Sequence, residues 1–263
     1  MEHTRKKSNG IMRHMFLLPL LVVAAFALVL GTFSPELWAH GKKHKEELKD
    51  ATIIVETNAT AGDAGFQIFL DGEGWRHVSV YDPKGRQIFN VKTNGGVKKI
   101  GGGTELFVET AEPEFETPEE LQELLDLLQP GTYKFYGGTV EGKWLFGEAE
   151  LTHVIPAGPN VTPATPDDEG ECEALPIDHA EISWEPVTTT IFGSDDIEIV
   201  GYQVIVEDEE GNHTFDVTLP AGTRSITIPE EFLEPGAVYL FEVLAIEESG
   251  NQTITESCFV VEE

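Results

Sequence analysis

The chain is poor in cysteine and in positive charge. Its 263 residues include only two Cys, and 17 Lys and Arg stand against 47 Asp and Glu. Two thiols cannot build a multi-cysteine zinc site or an iron–sulfur cluster. A formal net charge of -30, with an isoelectric point near 4.4, repels phosphate backbones and anionic lipid alike. Nucleic acid and anionic membrane surfaces are therefore excluded as partners. Catalytic spacing is missing too: there is no Gly-x-Ser-x-Gly elbow, no phosphate-cradling glycine loop followed by a helix and no His-Glu-x-x-His. The sequence reads as a non-enzyme. What it does have is a hydrophobic fraction of 40%, enough for packed cores, and 26 Gly and 15 Pro, enough for many turns.

Residues 1–39 read as a secretory signal. Arg5, Lys6, Lys7 and Arg13 precede the uncharged run Met15 to Phe33, and Trp38-Ala39 offers a small residue for a cut before His40. An uncleaved membrane anchor is the alternative, since a run of this length just spans a bilayer. Cleavage leaves 13 basic and 45 acidic residues, a net of -32, and implies a periplasmic or extracellular location.

Residues 40–50 read as a flexible, charged start and 51–156 as a first β domain. Thr52 to Val55, the alternating Phe66, Ile68 and Leu70, and Val78 and Val80 before the Asp82-Pro-Lys-Gly85 turn have the period of two that strands require. Two segments farther on, GTYKFY and KWLFGEAELTH, alternate likewise. One helix is predicted: Thr117 as N-cap, Pro118 at the first position, Glu120 completing a capping box, then Leu121, Leu124, Leu125 and Leu128 on one face. It is expected to cross from one sheet to the other and plug the sandwich end. Residues 157–171, rich in Pro and Gly and ending in acidic residues, read as a linker.

Residues 172–263 contain Trp184 with Pro186, Tyr202-Gln-Val204, and Leu233, Pro235-Gly236, Tyr239, Val243 and Ala245, then Gly250 and Ser257. In this spacing the region resembles a fibronectin type III domain from about Leu175 to Val261. The resemblance implies a sandwich in which Tyr239 is the corner tyrosine, its hydroxyl tied back to the preceding loop. Pro130-Gly131-Thr-Tyr133 echoes Pro235-Gly-Ala-Val-Tyr239 faintly, so the first domain is expected to be immunoglobulin-like only in a broad sense. The expected fold class is all-β: two antiparallel immunoglobulin-like sandwiches in tandem, with one short helix in the first. Cys172 and Cys258 flank the first and last strands of the second sandwich, which run close together in such folds. In an exported chain they are expected to form a disulfide, with two free thiols as the alternative.

Metal chemistry has two candidate settings. A cut after Ala39 would leave His40 with a free amino terminus, able with His44, His77 or His153 to bind copper or zinc. Calcium would suit the acidic loops Asp71-Gly-Glu73 with Asp82, Asp167-Asp-Glu169 and Asp195-Asp196, although repelling solvated loops are the preferred reading of each. Trp75, Tyr136 and Trp144 are candidates for stacking on sugar rings or for the core. The likeliest contact surface is expected in the first domain near Trp75 and Tyr81. The functional expectation is a non-catalytic, exported binding or scaffolding protein with a protein or polysaccharide partner. The alternatives are a periplasmic copper- or zinc-binding protein using His40, and a carbohydrate-binding accessory module.

Overall fold

Alternation decides which residues face inward, and it leaves two separate cores on one continuous sheet. A computed structural model describes residues 45–166, 171–209 and 211–262. The expected signal, His40 and His44, and Asp167 to Glu169 lie outside the described residues. In the first domain the strands are β1 (Lys45–Glu47), β2 (Asp50–Asn58), β3 (Asp63–Tyr81), β4 (Gln87–Lys92), β5 (Gly103–Glu109), β6 (Gly131–Thr139) and β7 (Trp144–Leu151), with helices α1 (Gly95–Lys99) and α2 (Pro118–Leu125). The remaining strands are β8 (Val161–Thr162), β9 (Glu173–Leu175), β10 (Glu181–Trp184), β11 (Ile199–Asp208), β12 (Thr214–Pro220), β13 (Ser225–Thr227), β14 (Val238–Glu247) and β15 (Gln252–Val261).

The long strand β3 serves two sheets. Its first half pairs with β2 and β5, its second half with β4 and β6, and register shifts near Trp75 bend it from one to the other. The Asp71-Gly-Glu-Gly74 stretch, which has the composition of a turn, is thus a bulged strand. Ile53, Val55, Phe66, Ile68, Leu70, Val78, Val80, Tyr133 and Phe135 fill the first core between these layers. The helix α2 joins β5 of one layer to β6 of the other. Thr117 Oγ1 accepts the Glu120 N–H at 3.2 Å, the Glu120 carboxylate reaches back to the Glu116 N–H at 2.7 Å, and Leu121 and Leu125 are buried over the core.

The second domain packs the three-stranded sheet β13–β10–β8 against β12–β11–β14–β15, a fibronectin type III-like sandwich. Trp184, Tyr202, Val204, Tyr239, Phe241, Val243 and Phe259 make its core. The Tyr239 hydroxyl accepts from the Glu234 N–H at 2.9 Å and donates to the Phe232 carbonyl at 3.3 Å, which is the corner that the resemblance implied. The first domain has a counterpart: the Tyr133 hydroxyl donates to the Gln129 carbonyl at 2.9 Å. A disulfide joins Cys172 to Cys258, with Cα atoms 5.3 Å apart, beside the parallel pairing of β9 on β15.

The two sandwiches share an edge. Strand β15 of the second pairs in parallel with β2 of the first, Gln252 to Ile254 against Glu56 to Asn58. Asn251 ties the junction: its Oδ1 accepts the Val55 N–H at 2.8 Å, and its Nδ2 donates to the Thr152 and Val154 carbonyls. At the end of the first domain the Pro156 carbonyl accepts from the Thr253 hydroxyl at 2.6 Å. The segment read as linker takes part as well: the Thr165 hydroxyl donates to the Glu256 carbonyl at 2.6 Å, and Val161 is buried in the second core, where β8 pairs with β10. Three pairings of the sheet, β1 on β7, β2 on β15 and β9 on β15, are parallel in an otherwise antiparallel fold.

A candidate binding face and an interdomain carboxylate cluster

The solvent side of the first domain's β4–β3–β6–β7 layer carries chemistry that the core side does not. Cross-strand register sets His77, Ser79 and Tyr81 of β3 beside Lys92, Asn90 and Gln87 of β4, and beside Gly138, Tyr136 and Lys134 of β6. Next along the same face come Trp144, Phe146 and Glu148 of β7. Tyr81 and Tyr136 meet edge to face with centroids 5.9 Å apart, and Tyr136 is 41% exposed. Lys45 of β1 places its ammonium 4.8 Å from the centre of the Phe146 ring. Such rings present apolar faces with a polar rim to solvent.

Two shallow clefts lie on this face. One, of about 400 Å³, is lined by Arg76, His77, Asn90, Lys92 and Lys98. The other, of about 310 Å³, is lined by Tyr81, Asp82, Pro83, Gly85, Lys134 and Tyr136. Asn90 Nδ2 donates to Ser79 Oγ at 2.7 Å and is thereby fixed in place. Partial burial, with the cations Arg76 and Lys92 beside it, lowers the His77 pKa and keeps the imidazole neutral. At Gly138, a Cβ would come within 3.1 Å of the His77 ring. Glycine therefore keeps the floor of the face open beside His77.

Charge makes the first cleft distinctive. Of the 13 Lys and Arg beyond residue 39, twelve lie before residue 144, and only Arg224 lies beyond it. Four of the others are ion-paired: Lys49 with Asp71 and Glu73, Arg86 with Asp82, Lys134 with Glu148, Lys143 with Glu46 and Glu141. Arg76, Lys92 and Lys98 form no ion pair among the described residues. In a chain with 47 acidic groups, three cations gathered around one cleft without an ion pair among the described residues form a local site suited to an anion.

The structure relocates one expected contact residue. Trp75 is 3% exposed and belongs to the first core, its ring packed under Gly103, where a Cβ would strike it at 2.4 Å. The bend of β3 at that point turns the indole inward, so Trp75 is not a surface contact. Tyr81 is half-buried on the outer face. Trp144, 47% exposed, shares that face. The acidic loops proposed for calcium are partly spoken for: Asp82 accepts the Lys84 and Arg86 N–H groups of its own turn, and Asp71 and Glu73 face Lys49.

A carboxylate cluster that sequence reasoning missed sits at the junction of the domains. Ligand oxygens of Glu56, Glu109 and Glu112 lie within 4.8 Å of one another. Glu56 is hydrogen-bonded by Gln252 across the β2–β15 seam, and Asn58 Nδ2 donates to Glu256 at 2.8 Å. Burial, reinforced by neighbouring carboxylates, pushes Glu56 and Glu112 up to about 7. Burial beside Glu256 and Glu114 raises Asp63 to about 6, and burial beside Glu256, Glu56 and Glu207 raises Glu242 to about 8. These are the groups that could hold a divalent cation, and a bound proton relieves the same repulsion. Glu56, Glu109 and Glu112 lie more than fifty residues apart in sequence at their widest, and Gln252 and Glu242 come from strands nearly two hundred residues beyond Glu56, which no local motif announces.

No family model and no curated protein matches this chain. Among solved structures, a two-domain fibronectin type III segment of chicken tenascin aligns at 11% identity, TM-score 0.29, over 81% of this chain and 98% of that one. The chicken CNTN1 FN1–FN3 domains align at 11% identity and TM-score 0.33, over 82% of this chain and 64% of that one. A single FN3 domain of human collagen XX aligns at 16% identity and TM-score 0.27, over 43% of this chain and 95% of that one.

Proposed function

We propose that this protein is an exported, non-catalytic binding module that presents the outer face of its first sandwich to a protein or polysaccharide partner. The carrying observation is the pair of half-buried Tyr81 and exposed Tyr136 on the same face as a cleft whose cations, Arg76, Lys92 and Lys98, form no ion pair among the described residues. The Cys172–Cys258 disulfide agrees with export, since such bonds persist in oxidising compartments. Among the described residues no helix is long and apolar enough to cross a membrane. The second sandwich acts as a rigid support: it shares a sheet with the first and carries neither an aromatic nor a cationic face of this kind.

The test is capture of the partner from the native envelope with immobilised full-length protein. Tyr81→Ala with Tyr136→Ala should abolish capture while the thermal transition stays near that of the parent. Undiminished capture by the double variant would refute the face. Turnover of a substrate by the purified protein would refute the non-catalytic reading.

A further inference from the structure

We infer that the occupant of this face is an acidic polysaccharide, its sugar rings against Tyr81 and Tyr136 and its anionic groups in the Arg76–Lys92–Lys98 cleft. The inference rests on the binding-face reading above and gives it a ligand class. Three kinds of group needed to recognise such a polymer stand on one flat surface. Aromatic faces stack on the apolar faces of sugar rings. Side-chain amides, here Gln87 and Asn90, exchange hydrogen bonds with sugar hydroxyls. Guanidinium and ammonium groups pair with carboxylate or sulfate.

Geometry favours a polysaccharide over an acidic peptide. From His77 to Tyr81 the face extends about 13 Å at ~3.3 Å per residue, open at both ends. The backbones of β3 and β6 are paired on both sides, so no free edge lies beneath Tyr81 and Tyr136 to which a peptide strand could add; among the described residues the outer side of β4 is unpaired on this face. The two clefts on this face are open and shallow, and neither is a deep apolar pocket for an anchoring side chain. A neutral glycan would leave the three cations that line one cleft, Arg76, Lys92 and Lys98, without a counter-charge. Repulsion from the distant second domain does not forbid an anion here, because exposed charges are screened beyond ~8 Å at physiological ionic strength.

Affinity electrophoresis of the full chain in gels containing polygalacturonate, dextran sulfate, unmodified dextran or polyglutamate tests the inference. Retardation by polygalacturonate or dextran sulfate is expected, and little by dextran or polyglutamate. Lys92→Ala with Lys98→Ala should weaken retention about tenfold, a loss of ~1.4 kcal/mol. Lys92→Arg should keep it, and so should Lys49→Ala, which removes a cation with acidic partners. Tyr136→Ala should weaken it as well. Equal retention by polyglutamate would reduce the cleft to a generic anion site and overturn the inference, as would equal retention by dextran. If no polysaccharide is retained yet the tyrosine variant still loses its envelope partner, the acidic glycan is wrong and the binding face stands. If neither is seen, both readings fall.

Discussion

Glu56 shows how much a single side chain can be asked to bear. It occupies a sheet position, beside a strand from the other domain, where water is scarce and Glu109 and Glu112 are close. Its carboxyl therefore holds a proton up to about 7, well above its unfolded value. Because the folded-state pKa is raised, this contribution to stability is complete below the unfolded value near 4.5 and is lost as pH rises through about 7. Glu112 and Glu242 add the same sign, the latter up to about 8. Thermal unfolding followed from pH 5 to pH 9 should thus show a midpoint that falls between pH 5 and about 8 and levels off above that. Glu56→Gln keeps the shape and removes the charge, so its midpoint should fall less steeply and exceed the parent's at alkaline pH. A parent midpoint that climbs toward pH 9 would contradict the assignment. The two corner tyrosines make a second comparison at this scale. Tyr133→Phe and Tyr239→Phe each remove one buried hydroxyl while preserving the ring. Each should cost about 1 kcal/mol in urea unfolding, the net worth of one hydrogen bond. A null effect at Tyr133 would show that its contact with the Gln129 carbonyl is incidental.

At the scale of elements, the disulfide and the strands around it carry the argument. Cys172 and Cys258 close a loop spanning 86 positions. In the chain-entropy view that loop confers about 4 kcal/mol, all from the unfolded state. Reduction, or Cys172→Ala with Cys258→Ala, should lower denaturant stability by about that amount while leaving the far-ultraviolet spectrum of the folded protein unchanged. The corner at Tyr239 and the capped helix at Thr117 were legible because each is written in neighbouring residues, and the bridge because the chain has only two cysteines to pair. Elements that depend on distant partners were not. Asp71 to Gly74 has the composition of a turn, yet β5 and β6 supply ladder partners that draw it into a bulged strand. Gly95 to Lys99 reads as a glycine-rich turn and forms a short helix. Val161 lies in a proline-rich stretch whose only strand partner, β10, comes some twenty residues later. Trp75 was placed on the surface because a loop was expected there; once β3 runs through, the bend puts its ring in the core. The binding face was half legible. Tyr81, Tyr136 and Trp144 stood out by type, but Arg76, Lys92 and Lys98 become one cleft only through the pairing of β3 with β4.

Over the whole molecule, charge is the organising asymmetry. Residues 172–263 contain 21 Asp and Glu and a single basic residue, Arg224, whereas the cations gather on the first domain. The domains are nevertheless held together by a strand pairing whose flanks are lined with Glu56, Glu242 and Glu256. The folded chain therefore confines like charges that the unfolded chain would spread apart. Added salt screens that repulsion, and at ~0.3 M the screening length falls to well under 10 Å. The same screening weakens the attraction between the Arg76–Lys92–Lys98 cleft and an anionic ligand. Raising sodium chloride should therefore raise the thermal midpoint of the free protein and lower its retention by polygalacturonate, two trends of opposite sign in one titration. Calorimetry and affinity electrophoresis on the same samples would read both. If retention survives the salt that stabilises the fold, the ligand is held by ring stacking and hydrogen bonds with little help from charge. If the midpoint falls as salt rises, attractive ion pairs outweigh the repulsion, and the acidic surface is better matched than its composition suggests.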